Sequence, residues 1–266
     1  MEKIQIGIPC YLKSEPYVNF LIESIIKTVS DISRIEMILG VNKLGVNKSE
    51  LLKYSKEVNI KVVDAVAPEV GNRGHGYCLD KILETMTAKY GMFVDCDVAF
   101  LEKKWDEILM EKLNDNIVVV GGDTDPIHNH YKNFPSWIMM MFDVNIVKKC
   151  NISFMPANNK YVKLDENNCH LFNEKPGNTI HLDTSWELPY KLKVNNYDGI
   201  ALPMLSPRLK SKNMIFMKEG MRGEEYVLNG VPIATHVGRS MTRDFYTHEV
   251  VIKWRKEVID WLSKSD

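Results

Sequence analysis

The chain has 266 residues, 45% hydrophobic and 26% charged, the make-up of an ordinary globular protein that can bury a core without cross-links. Thirty-four basic residues against thirty-five acidic ones leave a formal charge of −1, which argues against a general nucleic-acid binder. The five cysteines are scattered with no CxxC pair, so neither a zinc knuckle nor a disulfide framework is expected, and a reduced, cytoplasmic setting fits.

The first segment, 1–17, lacks the basic-then-apolar pattern of a signal peptide, and no apolar run approaches the roughly 20 residues that span a bilayer. Residues 4–9 ("IQIGIP") read as a strand. Residues 16–30 follow as a helix, with Val18, Leu21, Ile22, Ile25, Ile26 and Val29 at helical spacing. A strand at 35–41, a short helix at 48–58 with Ser49 as N-cap, and a strand at 60–66 come next. Residues 74–91 read as a helix stopped by Gly91, and "MFVD" as the fourth strand. This alternation predicts an α/β fold with a mostly parallel sheet and helices on both faces, its ligand site at the carboxyl ends of the strands. The second half is less regular: a helix at 105–113, strands at 117–122 and 135–143, and a helix at 183–196 despite Pro189. Residues 206–230 read as a long, mobile connection, a candidate lid, and 248–264 as an amphipathic helix. Its apolar stripe favours docking on the core, and its lysines and Arg255 leave a peripheral membrane contact as an alternative.

"GMFVDCDVAF" (91–100) sets Asp95 and Asp97 at the mouth of a buried strand. Two carboxylates this close repel, and burying them is costly unless a cation pairs with them or the strand simply ends there in solvent. Hard divalent cations take carboxylate oxygens and keep positions open for phosphate oxygens. "GNRGHG" (71–76) has three glycines ahead of a helix, which suits close backbone approach to an anion. "GGDTD" (121–125) is a second strand end with paired acids; with His128 and His130 it is a rival metal site or a polar loop.

Taken in order, "GIPCY", "GNRGHG", "DCD", "HLDTSWELPYKL" (181–192) and "THVGRS" (235–240) resemble the GT-A glycosyltransferases, especially the inverting, family-two-like enzymes. The resemblance covers roughly 4–250 and implies one domain over 1–266. In it, 1–100 is a Rossmann-like nucleotide-sugar half, 101–246 an acceptor and catalytic half, and 247–266 a C-terminal helix. It implies a Mn²⁺ or Mg²⁺ ion, a nucleotide-diphosphate sugar as donor, and a glycan or other hydroxyl-bearing acceptor. Asp97 is then the metal ligand, Asp95 a ligand to the ribose or to metal-bound water, and His236 the third metal ligand. Arg239, Ser240 and Arg243 would reach the diphosphate. Pro9 and Tyr11 would line the base pocket, and Arg73 would lie near the base or diphosphate. Asn42 stands where the family usually has an acid. Asp183 fills the place of the catalytic base, with Glu187 as reserve acid. Leu182 replaces the acidic residue that usually precedes that base, and an Asp before a helix also reads as an N-cap. Three rivals are a haloacid dehalogenase-like phosphatase with Asp95 as nucleophile, a sugar-nucleotide pyrophosphorylase, whose Gly-rich, Arg/Lys-containing first loop is missing after "GIPCY", and a non-catalytic carbohydrate-binding protein of the transferase fold.

Overall fold

The computed structural model describes residues 2–42, 45–67, 71–123, 134–156, 183–218, 221–238 and 242–264. The first half follows the predicted alternation: β1 (Ile4–Cys10), α1 (Glu15–Thr28), β2 (Ile35–Val41), α2 (Lys48–Leu51), β3 (Asn59–Asp64), α3 (Asn72–Thr85) and β4 (Tyr90–Val94). Then come β5 (Val98–Phe100), α4 (Trp105–Met110), β6 (Ile117–Gly122), β7 (Met139–Asp143), α5 (Val144–Lys149) and α6 (Glu187–Val194). The described chain ends with β8 (Asp198–Leu202), β9 (Met204–Leu205), β10 (Glu224–Leu228), β11 (Val231–His236) and α7 (Glu249–Lys264).

Seven strands form one sheet in the order β3-β2-β1-β4-β7-β6-β8. All neighbours are parallel except β7, which runs against both β4 and β6. Every residue of β1 is buried, as expected for a central strand covered on both faces. Side chains alternate between two hydrophobic clusters: Met37 and Leu39 enter one, Ile38 the other. Helices α1 and α7 contribute to the first cluster, and α3, α5 and α6 to the second. Pro9 sits in this central strand without breaking it, because the β1–β4 ladder has already ended at Gly7 and Phe93.

A second, antiparallel sheet has the order β5-β11-β10-β9. The chain crosses from one sheet to the other at Asp95–Asp97, where the Val98 amide donates to the Asp95 carbonyl at 3.2 Å and β5 turns away to pair with β11.

Several boundaries differ from the expectation for local reasons. Helix α2 stops at Leu51, its one buried residue, so little packing supports a longer helix. Helix α3 ends at Thr85 because Gln5 Oε1 accepts the Thr87 and Ala88 amides at 2.6 and 2.8 Å. Gly91 is therefore not a helix stop; it lies inside β4 opposite Phe142. Strand β7 begins only at Met139, and α6 only at Glu187, so Pro189 falls in the first turn, where no intrahelical amide is required. The stretch read as a mobile connection contains, among its described residues, both hydrogen-bonded anchors and a strand. Glu225, buried, accepts the amides of Ile215, Phe216 and Met217, and 224–228 is strand β10.

Helix α7 buries Val251, Trp254, Val258 and Leu262, so its apolar stripe is spent on the core. Among the described residues no helix is long and apolar enough to cross a membrane. Trp254 packs edge-on against Phe20 at 5.3 Å and donates its indole N–H to Thr235 Oγ1 at 3.3 Å, tying α7 to α1 and β11. Trp254→Ala should cost about 3–5 kcal/mol of folding stability. Urea denaturation followed by far-UV circular dichroism checks this; an unchanged midpoint would show that α7 is not integral to the core.

Candidate active site

Asp95 and Asp97 occupy the corner between the two sheets. Backbone pairing aligns that corner: Asp95 N donates to Ile138 O at 2.8 Å, and Val237 N donates to Asp97 O at 3.1 Å. In the β5–β11 register Val98 stands opposite His236, which carries that histidine to Asp97 from a distant part of the sequence. The His236 Nε2–Asp97 Oδ1 distance is 3.1 Å. One ligand atom each from Asp95, Asp97 and His236 can be chosen with all three within 4.8 Å of one another. The other ring nitrogen, Nδ1, lies 2.6 Å from Glu224 Oε2. Gly238 follows His236 with φ +67, a left-handed conformation that favours glycine and turns the chain sharply.

The charges explain the titration behaviour. Asp97, Glu224 and His236 are all under a tenth exposed. Burial pushes the Asp95 carboxyl well above the usual carboxylate range, and Asp97 adds to this by repulsion. Burial by itself would lower the His236 pKa, but the charges and hydrogen bonds of Asp97 and Glu224 outweigh it and hold it well above its ordinary value. Asp95, Asp97 and Glu224 thus crowd three carboxyl groups around one imidazole. Two carboxylates and an imidazole are a donor set that suits Mn²⁺ or Mg²⁺.

On the side of the first sheet, Tyr11, Asn42 and His75 gather at the strand ends. The Tyr11 hydroxyl is hydrogen-bonded to His75 Nδ1, and the Asn42 side chain also reaches it. Asn42 itself is held by its amide, which donates to Cys10 O at 2.9 Å. His75 lies against Trp137, with ring centroids 4.1 Å apart, and its Nε2 is 3.8 Å from Asp95 Oδ1, beyond hydrogen-bond range. Burial pulls the His75 pKa down to about 3, so the ring is neutral. Arg73 is half-buried in the same first turn of α3.

Asp183 is not an N-cap, since α6 begins four residues later. Its Oδ1 accepts the Asn72 side-chain amide at 2.8 Å and the Thr184 amide at 2.7 Å. Asn72, from the first turn of α3, thus fixes one oxygen of Asp183. The first turn of α3 meets Asp183 through Asn72 and Asp95 through His75. Glu187 is occupied elsewhere: it accepts the Ser153 amide at 3.0 Å and pairs with Lys191 at 2.5 Å.

Arg243 lines a cleft of about 380 Å³ with Lys13, Tyr17, Phe245 and Tyr246 at the start of α1. It donates to Val237 O at 3.3 Å, and its own carbonyl accepts the Tyr17 hydroxyl at 3.0 Å, which holds this segment beside the residue after His236. Arg239 and Ser240 lie outside the described residues, as do Asp125, His128 and His130 of the rival acidic pair; Asp123 is described and donates its amide to Leu202 O at 3.0 Å.

The sequence reading missed His75 and Glu224. The signal for His75 was its place between two glycines in the first turn of α3; for Glu224 it was a pair of adjacent acids opening an otherwise strand-like run.

Neither a protein-family model nor a curated protein matches the sequence. Solved structures do. The mannosyltransferase PcManGT from Pyrobaculum calidifontis, solved with GDP-Man and Mn²⁺, superposes with a TM-score of 0.55 at 10% identity, over 76% of this chain and 55% of that one. The chain has the GT-A fold. Weaker likenesses are to S. aureus TarS 1–349 (TM-score 0.43, 19% identity, 57% of this chain and 50% of that one) and to the bifunctional glycosyltransferase WbbM (0.40, 13%, 56% and 33%). This GT-A chain matches about half the length or less of the latter two and 55% of the first.

Proposed function

We propose that this chain is a metal-dependent, inverting glycosyltransferase. It moves a hexosyl or pentosyl group from a nucleotide-diphosphate sugar to an acceptor hydroxyl. One observation carries the reading: Asp95, Asp97 and His236 converge from two sheets within 4.8 Å at the strand ends of a GT-A fold. The mannosyltransferase with GDP-Man and Mn²⁺ supports it by analogy of fold. The residues facing Asp95 also disfavour a phosphatase nucleophile, because they are Asp97, His236 and a neutral His75.

Asp97, His236 and Asp95 would hold Mn²⁺ or Mg²⁺. When bound, the ion supplies a Lewis acid for the charge that develops on the diphosphate. Arg243, with Arg239 and Ser240, would meet the same diphosphate from the C-terminal side. Pro9, Tyr11 and Asn42 would border the nucleotide base, and Arg73 the base or diphosphate. Asp183, oriented by Asn72, takes the proton of the attacking acceptor hydroxyl. Attack on the face opposite the leaving group inverts the anomeric configuration. Residues 1–100 supply the donor side and 101–246 the acceptor side of one domain.

The test is a thermal-shift series with UDP, GDP, dTDP and CDP, each with and without Mn²⁺. One nucleotide should raise the melting midpoint by about 5–10 °C near 100 times its dissociation constant, and only with the metal present. No shift with any of the four would reject the donor site. A metal-dependent shift without turnover across an acceptor panel would identify a binding protein instead.

A further inference from the structure

We propose that Glu224 and Arg208 form a positioning pair that fixes which nitrogen of His236 faces the cation; this rests on the metal-site reading above. In the β10–β11 register Glu224 stands directly opposite His236. Its two oxygens are divided: Oε2 lies 2.6 Å from His236 Nδ1, and Oε1 is bonded to Arg208 Nη2. An ionised carboxylate can only accept a hydrogen bond, so the Nδ1 position must carry the hydrogen. Nε2 is then the nitrogen presented to Asp97 and to a metal. Carboxylates that back a ligating histidine in this way orient the ring and raise its basicity.

The surroundings are built for this contact. Glu224 is only 4% exposed, and a buried carboxylate is costly unless both oxygens are satisfied. Arg208 satisfies the second one from a 3₁₀ turn at Pro207–Leu209, whose N-cap Ser206 donates its hydroxyl to Gly223 O at 3.2 Å. Gly223 is itself required: a Cβ there would lie 2.0 Å from the His236 carbonyl oxygen and push β10 off β11. Glu224 is not one of the three clustered ligand residues, so its effect on a cation would pass through His236.

A purely structural ion pair would hold the 206–209 turn to β10 and leave metal affinity alone. Free Mn²⁺, followed by its electron paramagnetic resonance signal during titration of the whole chain without nucleotide, separates the two roles. Glu224→Gln, verified as folded by circular dichroism, should weaken Mn²⁺ binding by about 10–100-fold. Arg208→Gln should weaken it by a smaller factor, and Arg208→Lys should recover most of that loss. Loss of binding in Asp97→Asn with unchanged affinity in folded Glu224→Gln would overturn the positioning role while leaving the metal site standing. Parent protein that binds no Mn²⁺, or binds it regardless of Asp97→Asn, would overturn the metal site and this role with it. If Glu224→Gln does not fold, Arg208→Gln decides: weakened binding supports the pair, and parental affinity overturns it.

Discussion

Replacing Asp97 with alanine should abolish the metal-dependent nucleotide binding proposed for this site. Asp97 is buried at the sheet corner and makes the 3.1 Å contact with His236, so its loss would remove a proposed ligand and the partner that faces Nε2. Asp95 and His236 alone would leave the cation with one carboxylate and one imidazole. The thermal shift expected with nucleotide plus Mn²⁺ should vanish, while the melting midpoint without ligand should still mark a folded protein. A cation that stabilises the departing diphosphate by several kcal/mol corresponds to a fall in kcat of about 10³-fold or more when it is lost. A variant that keeps its Mn²⁺-dependent shift would move the metal site elsewhere, with the acids after β6 as the next place to look.

The second large effect is at Asp183, and it has the opposite signature. Asp183→Ala should leave donor and metal binding within about twofold of the parent and lower transfer by about 10²–10⁴-fold, the usual range for a general base. The separation follows from the geometry. Asp183 is tied to Asn72 and Thr184 and is not among the three clustered ligand residues, so its removal leaves that corner intact. Calorimetric binding of the nucleotide, measured beside steady-state transfer, reads both quantities. Turnover within tenfold of the parent would mean that another group takes the proton. Glu187, committed to Ser153 and Lys191, would be a poor candidate for it.

How much of this could be read from the chain differs sharply between its halves. The parallel strands β1, β2 and β4 are buried on both faces and stand out as short apolar runs, and α1 shows its apolar stripe directly. The second sheet hides. Strand β10 opens with two buried glutamates, and β5 is three residues long, so neither presents clear alternation. Glu224 and Glu225 look like a solvated connection until their partners are known: His236 and Arg208 for one, three consecutive amides for the other. The candidate site divides in the same way. Asp95, Asp97, Asp183 and His236 were reached through short motifs and their order. His75, Glu224 and the holding of Asp183 by Asn72 are pairings made by folding, between residues far apart in sequence. The end of α3 was misjudged for a related reason, because the group that stops it is a glutamine in β1.

The corner at Asp95–Asp97 also sets an order of assembly during synthesis. The strands and helices from β1 through β4 belong to the first part of the chain and pair mainly among themselves. The histidine that completes the cluster is separated from Asp97 by about half of the polypeptide. A nascent chain can therefore pair β1, β2, β3 and β4 early, while the partners that align the corner, Ile138 and then Val237, emerge later. Until β11 emerges, β5 lacks its pairing partner and the two acids lack their imidazole. If the corner holds a cation as proposed, its capture would be a late event that follows translation past His236, and an interrupted product ending earlier would lack the imidazole.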